Sequence, residues 1–131
     1  MQAFLSSKTA TRIGYAFSIL VVLFFVMDFT MKFLALPIVI ETNAQLGYGA
    51  DLVMPIGIIL AVCTVLYVIP QTAVLGAILL TAYLGGAVAS HMRIGSPLFS
   101  HVLFGVYLGL FVWGGLYLRD PRLQALIPLR R

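Results

Sequence analysis

The sequence predicts an all-α integral membrane protein, a four-helix bundle running up-down-up-down with both termini in the cytoplasm. Three observations lead there. The chain is 62% hydrophobic and 9% charged, whereas a soluble domain carries about 25% charged residues. Its apolar residues gather into four runs long enough to cross a bilayer. Its Lys and Arg residues concentrate at the two chain ends, which an even number of crossings brings to one side. All four runs belong to a single transmembrane domain, residues 1–131.

The first span runs from about Ile13 to Leu36, interrupted by Asp28 and Lys32. Its length of roughly 36 Å exceeds an apolar core of roughly 30 Å. It is long for a signal peptide, and Leu34-Ala35-Leu36-Pro37 lacks a small-x-small cleavage site, so it reads as an uncleaved span. Residues 37–51 are polar enough to leave the core, with Ile38, Val39, Ile40 and Leu46 suited to a short interfacial helix. The second span is about Leu52 to Ile69, with Pro55 expected in its first turn, where a missing N–H costs little. Pro70-Gln71 makes a tight turn into the third span, about Thr72 to Ser90. Residues 91–97 form a loop, and the fourth span follows from about Leu98 to Leu118. All four spans are expected to be helical, because lipid cannot satisfy the open edges of a sheet.

Orientation follows from charge. Lys8, Arg12, Arg119, Arg122, Arg130 and Arg131 share one side, against Glu41, Asp51 and the single Arg93 on the other. The positive-inside rule puts the first side in the cytoplasm, and Tyr15, Tyr67 and Tyr117 fall near it, as an aromatic belt requires. The net charge of +4 therefore reflects topology and does not point to nucleic acid. Membrane lipids are the expected surroundings. One cysteine, Cys63, cannot form an intrachain disulfide, and it sits in an apolar run as a small hydrophobe.

Helices in lipid gain little from hydrophobic burial against each other, so small residues mark close contacts. The third span has Ala73, Ala77, Thr81, Gly85 and Ala89 every fourth residue, and the fourth has His101, Gly105, Gly109 and Trp113. Ala77, Thr81, Gly85, Ala89, Gly105 and Gly109 are the expected packing positions of a tight antiparallel pair, or of a homo-oligomer contact.

Asp28 and Lys32 are the informative polar residues. An ionised group near the bilayer centre costs about 2.5–3.5 kcal/mol, and the i, i+4 spacing lets this pair neutralise itself on one face. His91, Arg93 and His101 belong to the same outer level, with Tyr83 and Tyr107 deeper on the third and fourth helices. Asp28, Lys32, His91, Arg93, His101, Tyr83 and Tyr107 are therefore expected to surround one pocket open to the outer leaflet. Lys32, Arg93 and the imidazoles would take an anionic or quinone-like headgroup, and apolar walls would hold its tail. No catalytic constellation is visible, since no nucleophile is paired with a base and no second carboxylate joins Asp28 on its helix. Nor do two histidines alone make a metal site. A binding or accessory subunit is the leading reading. An enzyme acting on a lipophilic substrate and a small proton-coupled transporter are the alternatives.

The motifs Asp28-Phe29-Thr30-Met31-Lys32, Leu75-Gly76-Ala77, Gly85 through His91, Gly95 through His101 and Trp113 through Arg122 resemble those of the DoxX-like family of small four-helix bacterial membrane proteins. The resemblance implies a four-helix bundle in a bacterial cytoplasmic (inner) membrane. It also implies association with quinone or redox systems, and so with a larger membrane complex; the cofactors in question would be quinone or lipid. Relatives often carry a glutamate in the second span where this chain has Leu60.

Overall fold

A computed structural model describes residues 1–130; Arg131, assigned above to the basic end, lies outside the described residues. The protein is all-helical, and four of its helices are long and apolar enough to cross a membrane. A short α1 (Gln2–Leu5) precedes α2 (Lys8–Phe33), whose first turn is capped by the Ser7 hydroxyl accepting from the Ala10 N–H at 3.1 Å. Helix α3 (Pro37–Gln45) begins on a proline that needs no N–H partner, and is the short helix expected between the first two spans. Helix α4 (Ala50–Val68) passes through a single 3-10 turn at Pro70–Thr72 into α5 (Ala73–Arg93). A π-helical turn (Leu98–Val102) leads into α6 (Phe104–Tyr117), and α7 (Pro121–Leu126) closes the chain.

The boundaries shift from the expected ones for local reasons. Helix α4 starts two residues earlier than the apolar run, so Pro55 sits inside it and not in its first turn. Helix α5 continues to Arg93, placing His91 and Arg93 on its last turn and not in a loop. Nothing breaks it until Gly95, whose φ of +71° ends the helix: Ser96 N–H bonds to the His91 carbonyl and Gly95 N–H to that of Met92. The same double bond pattern ends α3 at Gly47 (φ +92°) and α2 at Ala35 (φ +50°).

The four spanning helices form a ring, α2 against α4 and α6, and α5 against α4 and α6, without backbone contact across the diagonals. Near the termini the ring is closed tightly. A Cβ on Gly76 would run into the backbone of Leu66 and Tyr67, and a Cβ on Gly115 would meet Ser18 and the Gly14 carbonyl. Val21, Phe25, Leu60, Cys63, Leu80, Val112 and Leu116 fill this half as a continuous core. Leu60, where relatives often carry a glutamate, is fully buried there. Tyr67 is only 2% exposed and is not part of an interfacial belt. Its hydroxyl donates to the Val112 carbonyl and lies 2.7 Å from Ser18 Oγ, which in turn accepts from the Arg119 guanidinium. Arg119 therefore turns inward to satisfy buried polar groups, while its guanidinium also covers the Tyr15 ring.

Of the small stripe on α5, Ala73 and Ala77 are buried, while Thr81, Gly85 and Ala89 are exposed. The reason is geometric. A repeat of four residues overshoots the 3.6-residue turn by about 40° each step, roughly 160° over the stripe. The contact face instead continues through Leu80 and Leu84. Thr81 still touches α6 by accepting from the Trp113 indole N–H at 2.7 Å, Gly105 approaches the Leu84 carbonyl and Val88, and Gly109 reaches Leu84. Gly85 meets nothing.

This difference is measurable. Gly76→Ala is expected to destabilise the bundle by about 1–3 kcal/mol through overpacking, and Gly85→Ala to change stability by under about 0.5 kcal/mol. Unfolding of the detergent-solubilised variants reports both, and equal losses would contradict the pinched geometry.

Candidate functional site

The half of the bundle away from the termini is not filled. Between α2, α4, α5 and α6, under α3, lies a cavity of about 510 Å³. Its walls are apolar on α2, α4 and α6 (Phe24, Ile56, Ile59, Leu108), and its polar groups come chiefly from α2, α3 and α5. Such a volume suits a drug-sized ligand or the head and first carbons of a lipid.

The Asp28–Lys32 pair lines this cavity. Lys32 Nζ donates to Asp28 Oδ1 at 2.6 Å, one turn apart on α2. Gly57 of α4 makes room for the lysine stem, since a Cβ there would lie 3.0 Å from Lys32 Cβ and 3.2 Å from the Phe33 ring. The two partners are not equally hidden: the side chain of Lys32 is 9% exposed and that of Asp28 30%.

His91 and His101 also line the cavity, with ring centroids 5.7 Å apart in an edge-to-face arrangement. Each has a serine at Nδ1, Ser96 for His91 at 3.0 Å and Ser100 for His101 at 2.7 Å. The Nε2 atoms are left as the ring nitrogens that can meet a ligand. His101 owes its place to the π-helical turn, a distortion frequent at functional sites. The two rings also border a smaller recess of about 330 Å³ beneath Thr42 and Gln45. Tyr83 lines the main cavity too.

Two residues expected in the pocket are elsewhere. Arg93 donates to the Leu46 carbonyl and does not line the cavity. Tyr107 donates to the Phe99 carbonyl at 3.0 Å on the outer side of α6. The five others, Asp28, Lys32, Tyr83, His91 and His101, share one cavity.

Helix α3 contributes what the spans alone do not reveal. Asn43 and Tyr48 line the cavity, and Tyr48 Oη meets Ser90 Oγ of α5 at 2.6 Å. Together with the Arg93–Leu46 bond, this fastens the end of α3 to α5 beside the cavity. The available signal was the frame of Pro37 and Gly47 around a short amphipathic stretch, with a tyrosine just after it. Among the described residues, no three His, Cys, Asp or Glu side chains are grouped to hold a metal ion.

Four apolar helices around a largely apolar cavity with an ion pair in its wall define a small multi-pass membrane protein. The family model of the DoxX-like family matches residues 16–115, and the chain belongs to that family. The match spans the ion pair, α3 and both histidines, and stops before Arg119 and α7. No curated protein and no solved structure matches the chain.

Fastening of α3 has a direct readout. In the double variant Tyr48→Phe, Arg93→Ala, amides of residues 37–46 are expected to exchange with deuterium at least about tenfold faster, for the loss of two hydrogen bonds. Unchanged exchange would mean that α3 is held by its apolar contacts alone.

Proposed function

We propose that this chain is a small binding or accessory subunit of a bacterial cytoplasmic membrane, holding the head of a lipid- or quinone-like molecule in the outer-leaflet half of its bundle. The observation that carries the reading is the cavity of about 510 Å³ with an ion pair inside it. Ionisable residues within a span are costly and tend to serve a ligand or pathway, and here the pair adjoins empty space. Apolar walls beside polar groups match an amphiphile better than a water-soluble solute. Association with redox or respiratory partners, or with further copies of the chain, rests on the family likeness and the small size of the bundle.

The orientation is part of the proposal. Lys8, Arg12, Arg119, Arg122 and Arg130 share an end with one nearby acid, Asp120. The other end carries Glu41, Asp51 and Arg93. Positive charge holds its end in the cytoplasm, which turns α3 and the cavity mouth outward.

Two measurements test this reading. Protein extracted in a mild detergent and examined by native mass spectrometry is expected to retain an amphiphile. Gly86→Phe and Ala87→Phe, which fill the cavity wall, should each lower retention at least about tenfold, since a blocked pocket loses most of its contacts. Wild-type protein without retained amphiphile, or filled variants that retain as much, would overturn the binding function. For orientation, a C-terminal reporter that matures only in the cytoplasm should be active, and an inactive reporter would reverse the sidedness.

A further inference from the structure

We infer that the cavity selects a protonated amine carried on an apolar tail. This rests on the amphiphile-binding reading above and names the head that the site takes.

Charge is distributed unequally in the cavity. Of the basic groups expected to draw an anion, His91 and His101 line the cavity as imidazoles, and neither Lys32 nor Arg93 is free to do so. Arg93 is committed to the Leu46 carbonyl outside the cavity. Lys32 is more than nine-tenths buried, with its ammonium held by Asp28. The exposed partner of the ion pair is the acid. Asp28 takes Lys32 on Oδ1, and no described residue donates to its other oxygen. Both side chains line the cavity, and the more exposed of them is a carboxylate with an open acceptor.

The surrounding surface favours the same sign of charge. Phe24, Phe25, Tyr83 and Phe104 line the cavity with Asp28. Phe24 packs edge-on to Phe104 with centroids 5.2 Å apart. Aromatic faces carry negative potential and attract ammonium groups, most strongly where water is excluded. An anionic head would meet these rings and the carboxylate, with a committed lysine and the Nε2 atoms of His91 and His101 as the groups that could offset them. A neutral head would gain a hydrogen bond but no charge attraction. A primary ammonium satisfies both, donating to the open oxygen of Asp28 while resting against the rings. Its tail then follows Ile56, Ile59 and Leu108.

The test uses one tail with three heads. Wild-type protein in phosphatidylcholine nanodiscs is equilibrated with radiolabelled dodecylamine, dodecanol or dodecanoate, and retention is read above that of empty discs. Dodecylamine should be retained at least about tenfold over the other two, for one charge-assisted contact. That preference should fall to under about twofold in Asp28→Asn. In Phe24→Leu, which keeps the fold if the charged pair proves essential to it, amine retention should drop about fivefold, with dodecanol unaffected. Equal retention of the three heads would refute the amine preference while leaving amphiphile binding intact. A preference for dodecanoate would make Lys32 or the imidazoles of His91 and His101 the recognising groups and overturn the inference. Retention of none would overturn the amphiphile reading itself. Adding phosphatidylethanolamine to the discs identifies the source of the amine. Displacement of dodecylamine supports a membrane lipid, and undiminished retention supports a free lipophilic amine.

Discussion

A carboxylate and an ammonium 2.6 Å apart, one turn from each other in an otherwise apolar span, govern the shape of this bundle. Neither charge is tolerable alone in hydrocarbon, and both need protein around them. The pair obtains it from α4, where Gly57 lets the lysine stem lie against the helix backbone, and from α5, whose residues complete the polar wall. Lys32 is the more hidden of the two, and both side chains line the cavity.

The cavity is possible because the opposite end of the bundle is built differently. There the helices touch through glycine, at Gly76 against α4 and at Gly115 against α2. Tyr67 reaches across the ring to α6, and the Ser18 and Arg119 groups satisfy its hydroxyl and each other. Toward the ion pair the small residues Ala82, Gly86, Ala87 and Ser90 of α5 and Gly105 of α6 line space that no side chain fills. Helix α3 lines one end of the cavity, joined to the spans through left-handed residues at Ala35 and Gly47 and fastened to α5 by Tyr48 and Arg93.

Much of this is legible in the sequence, and the limits have physical causes. The four crossings are legible because hydrocarbon demands length and apolarity, which composition records directly. The short helix between the first two spans is legible from Ile38, Val39, Ile40 and Leu46, and the tight turn at Pro70 from proline chemistry. Asp28, Lys32, Tyr83, His91 and His101 can be grouped by depth alone, since depth is counted along each helix. Rotation about the helix axis is harder to read. It decides that Arg93 turns to a carbonyl, that Tyr107 faces outward, and that Gly85 and Ala89 leave the contact face reached by Ala77. The buried Ser18–Tyr67–Arg119 chain is hidden for a related reason: arginine and tyrosine near a membrane surface are ordinary, and only a neighbour's position turns them inward.

The arrangement depends most on the ion pair facing protein and cavity, not acyl chains. Solid-state NMR on protein in bilayers, with the Asp28 carboxyl carbon and the Lys32 amine nitrogen labelled, measures this directly. The expected result is strong dipolar coupling across the pair, with magnetisation reaching Asp28 from aromatic protons well before it arrives from lipid methylenes. Early transfer from the acyl chains would place the carboxylate on the outside of the bundle and contradict the site.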